Sequence, residues 1–79
     1  MKAIETVRIA AQTSKTPLSR VSTDMGHARS YVARIATRGS TPRADTLAAM
    51  LAPCGYALAA VPVDDLPPSA LVVDAAPRG

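Results

Sequence analysis

The side chains of this 79-residue chain that could do chemistry are six carboxylates, one histidine, one cysteine and a set of arginines. Their spacing decides between catalysis and charge recognition. Asp24, Asp45, Asp64, Asp65 and Asp74 are scattered along the chain, and no Ser-His-Asp grouping assembles around His27. "GSTPRAD", residues 39–45, lacks the length and the lysine of a phosphate-cradling loop. Cys54 and His27 alone fall short of a metal-binding set, and a single cysteine forms no internal disulfide. The chain therefore reads as a non-enzyme with no cofactor and no metal. Cys54 reads as a small buried hydrophobe and His27 as a turn residue. What remains is cation chemistry, concentrated in "ARSYVARIATRG", residues 28–39, where Arg29, Arg34 and Arg38 stand close together.

Charge is unevenly placed. Residues 1–45 carry eight Lys and Arg against three acids, a net +5, and residues 46–79 carry one Arg against three Asp, a net −2, for a total of +3. A basic front half suits a polyanion, because neutralising phosphates releases their counterions. No apolar run approaches the roughly 20 residues that span a bilayer, and Glu5 and Arg8 interrupt the apolar positions at the N-terminus, where a signal peptide would need an unbroken apolar segment. The expectation is a soluble, cytoplasmic protein with no membrane partner.

The elements that must position these arginines are short helices. Ile4, Val7, Ala10 and Ala11 fall at helical spacing in residues 2–13. Thr16 followed by Pro17 resembles a cap and first helical residue, which predicts a second helix from Pro17 to about Met25 with Leu18, Val21 and Met25 inward. Gly26 suits its end. A third helix starts near Ala28, turns Tyr31, Val32 and Ile35 inward and stops at Gly39. Thr41 and Pro42 repeat the cap-plus-proline pattern ahead of a fourth helix, with Leu47, Met50 and Leu51 buried and an end near Ala52 or Pro53. With no Trp or Phe, and only Tyr31 and Tyr56 as aromatic bulk, the core is thin, and oligomerisation is a common remedy for that.

The ordered set Gly26, His27-Ala28, Val32, Pro42, Thr46-Leu47, Leu51 and Gly55 resembles the helix-turn-helix domain of the phage repressor and Cro family, also called the XRE family. The resemblance covers about residues 4–55. It implies an all-α, compact four- to five-helix bundle of the lambda-repressor type, whose recognition helix enters the major groove of double-stranded DNA. It further implies base contacts from Arg29, Ser30, Ala33 and Arg34, with Arg29 foremost because a guanidinium can donate two hydrogen bonds to guanine. Phosphate contacts fall to Thr16 and Ser19 at the edge of the second helix, to Tyr31, and to Arg38, Ser40, Thr41 and Arg43 in the following loop. The free N–H groups at the start of the fourth helix sit beside that loop. Family members often pair an Arg of the first helix with a Glu late in the recognition helix; here Arg8 is kept and Ala36 stands in the other place. The segment between Gly26 and Gly39 is also one residue longer than the common form.

Beyond Gly55 the character changes. "GYALAAVPV", residues 55–63, resembles the extension of HipB-type antitoxins, in which a short strand pairs with its twin across a homodimer. On that resemblance Tyr56, Leu58 and Val61 form the dimer contact; the competing reading is a fifth helix ending near Leu58. The organisation is thus a DNA-binding domain over 1–55, a dimerisation segment over 56–63 and a Pro-rich mobile tail over 64–79, in which Leu71, Val72 and Val73 could order on a partner. Two functions stay open: a sequence-specific repressor binding a palindromic operator as a homodimer, or an antitoxin that binds its toxin through the C-terminal segment and autoregulates its operon.

Overall fold

The computed structural model describes residues 1–75. Four α-helices carry the fold: α1 (Ala3–Ser14), α2 (Leu18–Asp24), α3 (Tyr31–Arg38) and α4 (Ala44–Leu51). Short 3₁₀ turns follow at Ala52–Cys54 and Val63–Asp65, and no strand occurs among the described residues. No described helix is long and apolar enough to cross a membrane.

The core forms where the apolar stripes meet. Ile4, Val7, Ala10 and Ala11 of α1, Val21 of α2, Val32 and Ile35 of α3, and Leu47, Met50 and Leu51 of α4 are all buried, as the helical spacing predicts. Leu18, Met25 and Tyr31 pack against this cluster only partly buried. Cys54 lies in the core, its Sγ 3.8 Å from the Met50 carbonyl oxygen. Burial pushes its thiol pKa up from the ordinary value, against a smaller downward pull from the Ser14 hydroxyl.

Three helix starts differ from the sequence expectation. α2 begins at Leu18 with Pro17 itself as the N-cap (φ −62°, ψ 146°), so Thr16 does not cap it; the Thr16 hydroxyl oxygen instead accepts a hydrogen bond from Ser14 at 2.9 Å. α4 begins at Ala44, two residues after Pro42, with Arg43 as N-cap. α3 begins at Tyr31 rather than Ala28. Just outside the three helices Pro17 and Arg43 are extended and Ser30 lies in the bridging region (φ −92°, ψ 2°). The fifth helix does not form either: α4 gives way to the 3₁₀ turn, Gly55 follows, and residues 56–62 run without regular secondary structure.

The chain beyond Gly55 returns to its beginning. The Met1 amino group donates to the Val72 carbonyl oxygen (3.1 Å) and to Asp74 Oδ2 (2.8 Å), and the Asp74 N–H donates back to the Met1 carbonyl oxygen (2.9 Å). A cavity of about 280 Å³ remains between this return and the helices, with Thr6, Leu51, Tyr56, Leu58, Val61 and Leu71 among its walls. The part of the predicted tail at residues 76–79 lies outside the described residues.

Candidate nucleic-acid interface

The corner between α2 and α3 is built from backbone bonds first. At the end of α2 the Gly26 N–H reaches the Thr23 carbonyl at 3.0 Å and the His27 N–H reaches the Ser22 carbonyl at 3.0 Å. This is the paired 5→2 and 6→1 closure of a Schellman motif. It requires a left-handed residue, and Gly26 supplies it with φ 80° and no Cβ penalty. Ala28–Ser30 then form a further turn, closed by the Tyr31 N–H on the Ala28 carbonyl at 3.0 Å.

One side chain ties the two helices together. Ser22 is fully buried on α2; its hydroxyl donates to the Leu18 carbonyl at 2.8 Å and accepts from the Val32 N–H at 3.1 Å. α3 has no capping side chain of its own, since Ser30 stands at the N-cap position without a side-chain bond. One of the orphan N–H groups at the start of α3 is therefore satisfied from the neighbouring helix, which fixes the approach of α2 to α3. Ser22 is not among the site residues expected from the sequence. The signal was there: Ser22 occupies a position in the stripe Leu18, Val21, Met25 where an apolar residue is expected, and a polar residue on a buried face must find partners.

The corner presents a basic, uncrowded surface. Arg29 and Ser30 are exposed in the turn before α3, and Ala33, Arg34, Thr37 and Arg38 are exposed on the helix. No carboxylate among the described residues pairs with Arg29, Arg34 or Arg38; the side-chain ion pairs there are Arg20–Asp24 at 3.8 Å and Arg43–Asp45 at 3.3 Å. Arg34, Thr37 and Arg38 line one shallow hollow together with Tyr31. Tyr31 is half-buried, and its ring stacks on that of His27 with centroids 3.8 Å apart and planes inclined by 8°. His27 is thus more than a spacer in the turn.

The remaining candidates sit apart. Thr16 lines a second hollow with Arg8, Gln12 and Lys15, where α1 meets α2, and Ser19 is half-buried on α2. Arg8 is exposed with no acidic partner among the described residues. Ser40 and Thr41 are exposed in the loop after α3. At the start of α4 the Asp45 carboxylate already takes the Thr46 N–H at 2.9 Å and the Arg43 guanidinium. That helix end is partly occupied by the chain's own anion. Of the dimer candidates, Tyr56 packs half-buried on the core while Leu58 and Val61 are exposed.

Compared with known proteins, the chain matches no family model, no curated protein and no solved structure.

Proposed function

We propose that this protein binds double-stranded DNA in the major groove through a helix-turn-helix formed by α2, the Gly26 corner and α3, and acts as a transcriptional repressor. The observation that carries the reading is the braced corner with three arginines that no carboxylate among the described residues pairs with. A helix held at a fixed angle by its neighbour can project side chains into a groove of suitable width, and unpaired guanidinium groups supply both base-edge donors and phosphate contacts. On this reading Arg29, Ser30, Ala33 and Arg34 read bases, and Arg38, Ser40, Thr41 and Arg43 follow the backbone, with Thr16, Ser19 and Tyr31 as further phosphate contacts. One such unit covers only a few base pairs. Pairing of residues 56–62 across a two-fold axis, with Tyr56, Leu58 and Val61 at the contact, would place two units on a palindromic operator.

Selection of bound sequences from a random duplex library, followed by affinity measurements on the selected and a scrambled duplex, tests this. Arg29→Ala should weaken binding to the selected duplex by roughly tenfold or more, the worth of a bidentate base contact. On the scrambled duplex its effect should be small. Arg43→Ala should weaken both equally. Equal losses for Arg29→Ala make it a phosphate contact, and failure to enrich any sequence overturns the reading.

A second reading has its own observation. Among the described residues, six of the seven exposed large apolar ones, Leu58, Val61, Val63, Leu66, Val72 and Val73, lie beyond Gly55. An apolar surface of that kind fits a protein partner, so we also propose an antitoxin role in which the C-terminal segment binds a toxin and DNA binding is autoregulatory. Charged replacements at Val63 and Val73 that abolish capture of the product of an adjacent gene, while operator binding persists, would favour it.

A further inference from the structure

We infer that the His27–Tyr31 stack is a positioning device for base reading: it clamps the two ends of the turn that carries Arg29. This rests on the DNA-binding reading above and goes beyond it in assigning specificity to two residues that touch no base. His27 is the last residue of the α2 closure and Tyr31 is the first residue of α3. Between them lie Ala28, Arg29 and Ser30, all exposed and none held by a side-chain hydrogen bond among the described residues. One backbone bond, from the Tyr31 N–H to the Ala28 carbonyl, closes that turn. The Arg34 N–H also holds the Ser30 carbonyl, at 2.9 Å, but the Arg29–Ser30 peptide makes no hydrogen bond among the described residues and is free to tilt. Two rings at 3.8 Å and 8° remove that freedom, because sliding or opening them forfeits the contact.

The geometry also explains why α3 can begin late. The stack and the Ser22 bond act on consecutive residues, Tyr31 and Val32, so the first turn of α3 is held from two directions. Ser22 fixes the helix to α2, and His27 fixes the turn to the helix. A guanidinium on a turn pinned at both ends spends less conformational freedom when it forms two hydrogen bonds to one base, and misplacement by about 1 Å is enough to lose the second bond.

His27→Ala, His27→Phe and Tyr31→Leu test this alongside the wild type on the selected and scrambled duplexes. His27→Ala should lose roughly twofold to tenfold in discrimination between the two, the worth of one aromatic pair, with little change on the scrambled duplex. His27→Phe keeps a ring and should restore discrimination to within about twofold, a rescue that loss of a cationic contact would not show. Retained discrimination in His27→Ala, or a His27→Phe as poor as His27→Ala, overturns the inference. The stack has a readout that needs no DNA: the His27 ring protons should resonate upfield in the wild type and return in Tyr31→Leu. Unshifted His27 resonances in the wild type overturn the inference while leaving the DNA reading standing, and a wild type that enriches no sequence overturns both.

Discussion

Replacing Ser22 by alanine removes one oxygen from the centre of the molecule, and the structure sets the size of the effect. Ser22 and Val32 are both fully buried, and the Ser22 hydroxyl is the acceptor for the Val32 N–H. Without it that donor is left unpaired where water does not reach, at a cost of about 1–3 kcal/mol. Alanine returns part of this, since it is the better helix former by up to about 0.5 kcal/mol, and the lost bond to the Leu18 carbonyl is a local back-bond of small worth. The net expectation is a destabilisation of about 1–2 kcal/mol. For a domain of this size that lowers Tm by roughly 4–16 °C. Urea unfolding followed by far-ultraviolet circular dichroism measures it, with Ser19→Ala as the control. Ser19 is half-buried on the same helix, and removing its hydroxyl should change stability by less than about 0.5 kcal/mol. A Ser22→Ala protein as stable as the wild type would mean that α3 is not capped from α2.

Two further effects follow from the backbone and from burial. Lys15 closes α1 in the left-handed region at φ 57°, where a side chain costs about 1 kcal/mol, so Lys15→Gly should stabilise the fold by a similar amount in the same urea assay. Cys54 should react with a disulfide reagent only as the protein opens, in step with urea. Its folded pKa is raised, so the thiol ionises first in the unfolded chain, and its contribution to stability, complete below the ordinary value of 9.0, is lost as pH rises through the folded value. Comparison of alkaline unfolding in the wild type and Cys54→Ala isolates that loss; identical pH profiles would refute it.

The large apolar residues on the buried face of each helix were legible in the sequence, because burial imposes a period that a short window reveals, whereas the buried Ser22 and Thr6 were not. Val7, Val21, Val32, Leu47 and Met50 stand where the stripes put them, and all are at most 5% exposed. The helix starts were less legible. Thr16-Pro17 and Thr41-Pro42 satisfy the local signature of a cap followed by a first helical residue, yet Pro17 takes ψ 146° and serves as the cap, and Pro42 lies two residues ahead of Ala44. Proline fixes φ at a value that suits both a helix and the extended residue before one, so its position leaves the start open by a residue or two. The start of α3 was harder still. What holds it is Ser22, ten residues earlier, and no local pattern around Ala28 or Ser30 carries that information. The exposure of Arg29, Arg34 and Arg38 was legible for the opposite reason: the buried stripe of Val32 and Ile35 lies on the other side of the helix, and the small Ala33 is the aliphatic residue beside them.

The late start of α3 also alters how an anion can be held. In a helix whose first-turn N–H groups point outward, backbone and dipole together receive a phosphate. Here the Tyr31 N–H is spent on the Ala28 carbonyl and the Val32 N–H on Ser22, while at α4 the Thr46 N–H is spent on Asp45. The chain has used these donors to stiffen its own corner. On the DNA-binding reading, phosphate recognition then passes to side chains, and the hollow of Tyr31, Arg34, Thr37 and Arg38 brings together two residues with guanidinium groups and two with hydroxyls. Guanidinium contacts of this kind displace counterions one by one, whereas a helix end carries only half a charge. On the DNA-binding reading, a corner that has spent the Tyr31 and Val32 N–H groups on its own rigidity would rely chiefly on its arginines for phosphate contact.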